Sequence, residues 1–544
     1  MGLSNADGVI PAAEHTERTR AYYRAYELVV DVQTPTAGAV DEIQALLEEA
    51  RRRGWPEVVQ GALFADAVAT LEAPPAEHLA AVERLLTQAE GDGAPAMVAL
   101  ALALRSKVSG SGDSNLAIAA DEDLARATVI LETVPDGPLL ERISAHISCA
   151  EAYSNRWLWE LCDEQYAAAM KLTPDPTTHW VRCVLPAIVY NRVEMQVDWA
   201  CVLRQLGDKT GVLERRLTCE TPMAAASTVD MPPQWLVELE TLDILMSAIA
   251  GSDTADAARA LLEKVLPENH PGAWPRGWLY LAAALSDQTG GRVESAKEAI
   301  ERAVAEIDPR GSADAYDLAL YVAAELDADG THTPPMRYAH RQLSLRWTHR
   351  LAVLGSMLGR VQAERLRREH DVVIQQAHLD DLTALLNRRG FARYLESVTR
   401  RDVDIISLLV VDLDDFKLVN DRYGHQVGDA ALVTVGRLLQ THVRSVDCAV
   451  RLGGDEFAIV LASAGLDAAR RRAEALTHAV RSHPWEKLAP GLAITVSVGL
   501  AEGTPTGFAE LIERADRALY EAKRSGRGTV VCDVDETNAS SDIL

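Results

Sequence analysis

The sequence predicts a multidomain protein: an N-terminal all-α helical-repeat solenoid, a connecting helix, and a C-terminal α/β domain. Three observations carry this prediction. From about residue 18 to 325, apolar residues recur at intervals of three and four, with Ala and Leu dominant and no alternating strand pattern. From Leu379 onward, short β-branched runs alternate with helical patterns. The aromatic residues divide near the same place, with eight of ten Trp before residue 340 and four of five Phe after residue 390. The chain has 544 residues and a net charge of −26, which argues against broad electrostatic binding to nucleic acid. The seven Cys are scattered, odd in number and form no CxxC pair, so reduced, packed thiols are expected rather than a disulfide framework or a zinc site. The N-terminus lacks the apolar core of a secretion signal, and the most apolar stretch, Ala94 to Leu104, is too short to span a bilayer. A cytoplasmic location and no transmembrane segment are expected.

The first domain is assigned to residues 1–335. Breaks at Ala73–Pro75, Ser109–Ser114, Pro135–Gly137, Pro174–Pro176, Pro232–Pro233 and Asp308–Gly311 cut it into pairs of helices. One pair resembles a tetratricopeptide unit: Ala150, Tyr153, Cys162, Tyr166, Ala169 and Pro174 stand at the offsets of a 34-residue repeat. A looser copy runs through Trp278, Ala282, Leu285, Ala296, Ala303 and Pro309. Such arrays expose a concave face, so a protein partner on this region is expected, with sensory or interaction duty. The Trp residues could line that face, although Trp at helical spacing is more often core. No catalytic constellation stands out; His146, His179 and His270 are isolated.

Residues 336–378 are expected to form a signalling helix. Trp347, Leu351, Leu354, Leu358, Val361, Arg365, Arg368 and Val372 are spaced alternately four and three apart, the seam of a coiled coil interrupted by two Arg. Arg337 to Arg368 holds eight Arg and a single acid, Glu364. Pairing with a second copy, or packing on the acidic repeats, is expected, and the two Arg should keep any pairing weak and adjustable.

In residues 379–533, strands are expected at Ile405–Val411, Cys448–Leu452, Phe457–Leu461, Ala493–Val498 and Thr529–Cys532. Helices are expected at Arg388–Val398, Asp429–Val443, Ala468–Ser482 and Phe508–Arg524. Asp412 ends one strand and Asp455 lies in a hairpin turn, so neighbouring strands would bring the two carboxylates to one end of the sheet. Paired carboxylates with a free backbone carbonyl are hard oxygen ligands suited to Mg²⁺. Gly453 and Gly454 leave bare backbone against which a phosphate chain can lie, and Lys417, Lys523 and Arg527 supply cations. These parts suit metal-assisted phosphoryl or nucleotidyl transfer.

These motifs resemble the GGDEF domain of diguanylate cyclases. The signature is Gly453-Gly454-Asp455-Glu456-Phe457. Around it stand Asp380-Asp381-Leu382-Thr383-Ala384-Leu385-Leu386-Asn387-Arg388, then Asp412-Leu413-Asp414-Asp415-Phe416-Lys417 with Asn420-Asp421, Tyr423-Gly424-His425 and Gly428-Asp429. Ala515 to Lys523 with Gly526-Arg527 closes the set. Ala384 departs from the family, which usually has Gly there. The resemblance implies a palm-like fold, and it makes Asp412, Asp455 and Glu456 catalytic. The same three, with the Leu413 carbonyl, would hold Mg²⁺ or Mn²⁺, two per active site. It implies GTP as substrate, with Asn420 and Asp429 on the guanine, and with Phe416, Lys417, Lys523, Arg527, Gly453 and Gly454 around the rest of the nucleotide. Two GTP would become cyclic di-GMP plus two pyrophosphate in a homodimer, because each domain presents one GTP. Arg444-Ser445-Val446-Asp447, five residues ahead of the signature, resembles the family's RxxD site for inhibition by cyclic di-GMP. A catalytically silent cyclic di-GMP receptor is the competing reading, although such receptors usually lose metal or turn residues that this chain keeps. The polar stretch 534–544 is expected to be a disordered tail.

Overall fold

Helices that open on proline shape the first part of the chain. Pro56–Ala69, Pro75–Gly91, Pro95–Lys107, Pro233–Ile249 and Pro334–Ala377 all begin this way, where the missing N–H would have no partner in any case. The structure is a computed structural model. It describes residues 12–33, 38–71, 73–107, 114–133, 137–173, 179–226, 231, 233–265, 274–309, 311–328, 333–400, 403–444 and 446–533. Pro174 and the stretch 534–544 therefore lie outside the described residues. The chain divides into two units, Met1–Arg365 and Leu366–Leu544. Among the described residues, no helix is long and apolar enough to cross a membrane.

The described residues of the first unit form consecutive α-helices packed on one another. Helix Ala39–Arg53 stops at Gly54, whose left-handed φ of 67° turns its N–H back onto the Ala50 and Arg51 carbonyls. Fully buried alanines, among them Ala62, Ala65, Ala81, Ala99, Ala101 and Ala103, let the helices cross closely. The residues expected to form the clearer repeat lie on two consecutive helices, Leu139–Ser154 and Trp159–Lys171, where Ala150, Tyr153, Cys162, Tyr166 and Ala169 are buried. The looser copy is the hairpin Trp274–Thr289 with Val293–Glu306, where Trp278, Ala282, Leu285, Ala296 and Ala303 are buried and Pro309 is exposed beyond it. A Cβ at Gly277 would come within 2.9 Å of the Ile307 backbone nitrogen, so only glycine fits this crossing. Trp55, Trp159, Trp199 and Trp278 are core. Cys149, Cys162, Cys201, Cys219 and Cys448 are buried free thiols.

Helix Pro334–Ala377 runs across the division between the units. Its first thirty or so residues pack on the helical unit, one of the two arrangements expected for the seam. Met357 and Val361 are buried there, with Trp347, Val353 and Leu354 partly buried beside them. Arg350, 3% exposed, donates to the Trp157 carbonyl at 2.6 Å, pairs with Glu160, and lies over the Trp347 ring at 4.4 Å. Arg365, one of the two Arg of the expected seam, forks its guanidinium onto Glu132 at 2.7 and 2.8 Å. The exposed apolar residues are Leu345, Leu351, Leu358, Leu366, Val372 and Val373.

The second unit is built on a five-stranded sheet in the order β2-β3-β1-β4-β5. The strands are β1 Ile406–Leu413, β2 Cys448–Gly453, β3 Glu456–Ala462, β4 Val496–Gly503 and β5 Val530–Cys532. The central strand β1 pairs antiparallel with β3 and β4, and β4 with β5 is the parallel pair. Every residue of β1 is buried, and successive side chains serve opposite faces. Leu409, Val411 and Leu413 pack beneath helices His425–Thr441 and Leu466–Ser482. Ile406, Leu408 and Val410 pack against Arg388–Arg400 and Phe508–Arg524. At Gly499 a Cβ would stand 2.1 Å from the Ala515 carbonyl oxygen, so helix Phe508–Arg524 rests directly on β4. The expected strand at 493–498 begins later and runs on to Gly503, because its partner β1 continues to Ile406. The short helix Phe416–Tyr423 was not expected from the pattern.

Candidate active site

The site forms at the end of β1 where β1, β3 and the β2–β3 turn meet. Asp412 lies opposite Glu456 in the antiparallel register, and the Leu413 N–H donates to the Asp455 carbonyl at 3.3 Å. The sheet thus brings the expected carboxylates together. Asp412 is 6% exposed. Burial first, then the charges of Asp455 and Glu456, raise its carboxyl above the ordinary range, while Lys523 opposes this from 2.8 Å. Lys523, expected on phosphate, thus neutralises Asp412 in this structure, since a buried carboxylate takes the nearest cation. Arg527 lies 3.4 Å from Asp415 and is half exposed, and Lys417 is exposed. Phe416, expected beside the substrate, has its ring in the core. What it can offer a phosphate is its main chain at the start of helix Phe416–Tyr423.

The signature turn needs its glycines. Gly453 has φ 149° and Gly454 φ 57°, and nothing lies within 4 Å of where a Cβ would stand on either. The bare backbone is open on that side. Arg451 braces the turn with two bonds to the Gly454 carbonyl, 3.1 and 2.8 Å, and a third to Asp380 at 2.9 Å. Asp380 also accepts from the Thr383 N–H and hydroxyl, which ties the opening motif to the turn. A second brace is Asp414, whose carboxylate accepts from Thr495 and Ser497 at 2.6 Å each and from the Gly528 N–H at 2.9 Å. Sequence reasoning assigned no role to Arg451 or Asp414. An acid beside strand-end hydroxyls was the available signal, but only the register shows which hydroxyls meet it.

Asn420 and the start of helix His425–Thr441 are also neighbours. A Cβ on Gly428 would fall 1.9 Å from the Asn420 Oδ1, so glycine at 428 is what allows Asn420 and Asp429 to approach. Asp429 is exposed and Asn420 half-buried.

Among the described residues, no three Asp, Glu, His or Cys side chains converge closely enough to enclose a metal ion alone. That arrangement still fits Mg²⁺, which usually takes one or two carboxylates and completes its shell with water and substrate phosphate. Asp412, with Asp455 and Glu456 raising its pKa and the Leu413 carbonyl beside it, is such a donor set.

Within the RxxD motif, Asp447 is fully engaged. Asp447, with 2% of its side chain exposed, accepts from the Arg444 N–H at 2.9 Å, the Ala462 N–H at 3.1 Å and Arg472 at 2.7 Å. Arg444 is exposed. Of the three Arg at 470–472 in the following helix, Arg472 reaches Asp447, while Arg470 pairs with Glu474.

Residues 377–529 match the family model described as diguanylate cyclase, GGDEF domain. The C-terminal unit therefore carries a GGDEF domain. The chain is similar to diguanylate cyclase DgcP of Pseudomonas aeruginosa, 41% identical over 158 residues, 28% of this chain and 23% of that one. It is similar to diguanylate cyclase DgcS of Shewanella oneidensis, 37% identical over 163 residues, 29% of this chain and 54% of that one. Among solved structures, the coiled coil and GGDEF domain of DgcB from Caulobacter crescentus, in complex with c-di-GMP, matches with a TM-score of 0.30. It is 32% identical, and the match covers 34% of this chain and 98% of that one. The chain thus spans from about a quarter to about half of the two cyclases named first.

Proposed function

We propose that the C-terminal unit is an active diguanylate cyclase that condenses two GTP into cyclic di-GMP. The observation that carries this is the convergence of Asp412, Asp455 and Glu456 at one end of β1 and β3, beside an open glycine turn. In each half-reaction a 3′-oxygen bonds to the α-phosphorus of the other GTP, the bond to the β-phosphate breaks, and pyrophosphate leaves with its electron pair. The 3′-hydroxyl proton passes to solvent. Two such steps close the ring and balance as two GTP to one cyclic dinucleotide and two pyrophosphate. Mg²⁺ or Mn²⁺, held by Asp412, the Leu413 carbonyl, Asp455 and Glu456, would supply Lewis acidity toward the phosphates and the attacking hydroxyl. Asn420 and Asp429 would recognise guanine, the carboxylate accepting from N1–H and the N2 amino group. Lys417, Arg527 and the main chain of Phe416, Gly453 and Gly454 would hold the phosphates, and Lys523 would exchange Asp412 for phosphate.

Because one domain holds one GTP, the active species would be a homodimer. Product inhibition would act through Arg444, with Asp447 positioning it and Arg472 adding a second cation. The helical unit, read as a tetratricopeptide-like array, would supply regulation. The test is incubation of the purified chain with GTP and Mg²⁺. Cyclic di-GMP formation that is lost in Asp455→Ala, with an unchanged circular dichroism spectrum, is the expected result. Cyclic di-GMP binding without turnover would establish the receptor instead.

A further inference from the structure

The helical unit contains a half-open cavity of about 620 Å³, within the range of small-molecule sites. One part of its wall is aromatic: the rings of Tyr190 and Trp235 stack at 5.5 Å and 29°. Another part is anionic. Glu151, Glu194, Asp198 and Glu238 reach it from three helices, Leu139–Ser154, His179–Leu206 and Pro233–Ile249. Glu194 and Asp198 are four residues apart and share one helix face. Lys107 also lines the cavity, and its ammonium is already paired with Glu151. Among the described residues, no lysine or arginine pairs with Glu194, Asp198 or Glu238; the groups acting on them are other acids and the Tyr190 hydroxyl.

An aromatic-walled cavity with uncompensated carboxylates selects a cation, because a cation gains from both the ring faces and the charges. The spread of the acids decides which kind. No three of them converge to hold a metal ion, so the positive charge must be distributed along a chain. We propose that this cavity binds a small aliphatic polyamine, with ammonium groups on Glu194, Asp198 and Glu238 and methylene groups against Tyr190 and Trp235. Burial, followed by repulsion from Glu194, lifts the Glu238 carboxyl to about 7. Burial and neighbouring acids also raise Glu194 and Asp198. A bound polycation relieves that repulsion.

The inference is independent of the nucleotide chemistry, and its test uses no nucleotide. Isothermal titration of the full chain with spermidine in about 0.15 M salt, where surface charges are screened, should show one saturable site per chain. Glu194→Gln with Glu238→Gln should weaken binding by at least about tenfold. Glu48→Gln with Glu294→Gln, which removes as much charge from the outer surface, should leave it unchanged. Equal loss in both double variants, or no saturable site in the wild type, overturns the proposal. Thermal unfolding of the wild type guards against misfolded variants. Spermidine should raise the midpoint more than MgCl₂ at matched ionic strength, and equal shifts also overturn the proposal.

Discussion

Glu141 is 3% exposed, and burial first, with the charge of Glu57 second, lifts its carboxyl to about 7. A folded-state pKa above the unfolded value means that the folded chain takes up a proton between about pH 4.5 and 7. Stability is therefore full below the unfolded value and is lost as pH rises through 7. At pH 8 the ionised form costs the fold up to about 3 kcal/mol. Glu141→Gln should raise the unfolding midpoint at pH 8, change it little at pH 5, and flatten the profile between them; thermal melts across that range check this. In the second unit, the proposed guanine contact of Asp429 predicts that Asp429→Ser admits ATP beside GTP, and competition assays with both nucleotides measure it. The proposed product inhibition through Arg444 predicts that Arg444→Ala leaves the initial rate unchanged and straightens progress curves as product accumulates. Asp412 and Asp455 were legible because a strand end and a glycine turn are local features of sequence. Arg451 and Asp414 were not legible, because their value lies in partners such as Asp380, Ser497 and Gly528, which only the folded sheet supplies.

Turns set the accuracy of the second unit. Ala384 holds φ 57°, a left-handed conformation that costs a side-chain residue about 1 kcal/mol or more. Its N–H is fixed on the Asp380 carbonyl at 2.9 Å, so the turn keeps its shape despite the missing glycine. Ala384→Gly should raise the stability of this unit by about 1 kcal/mol, measured by denaturant unfolding. Asn387 joins two elements: its amide donates to the Ala377 and Leu379 carbonyls, and its oxygen accepts the Arg389 and Gly390 N–H groups. The end of the long helix and the start of Arg388–Arg400 are thus clamped by one side chain. The helices themselves were legible, since their period is written in the chain. The face that each buries was less so. In the long helix, both the Trp347–Val361 stripe and the Leu351–Leu358 stripe are apolar, and periodicity alone does not say which one meets the helical unit.

Across the whole chain, the long helix is the one element shared by both units, and its exposed stripe is available to a second copy. Leu358→Glu with Leu366→Glu should weaken self-association and lower cyclic di-GMP synthesis together, as read by sedimentation and initial rates. A loss of association with no loss of rate would place productive pairing elsewhere. The same helix is anchored through Arg350, so Arg350→Ala should destabilise the helical unit by about 3 kcal/mol by leaving Glu160 and the Trp157 carbonyl unpaired. That anchor sits in a nest of indoles: Trp159 lies 5.2 Å from Trp157, 5.8 Å from Trp199 and 6.3 Å from Trp347. Chromophores this close exchange excitation energy and split their absorption bands, so the nest has an optical signature distinct from four separate tryptophans. Only Trp347 belongs to the long helix, and only Trp485 follows residue 365 in the chain. With Trp485 replaced by Phe, the emission colour and near-ultraviolet dichroism of the remaining indoles become a built-in gauge of whether the helix is seated, readable in real time without a label.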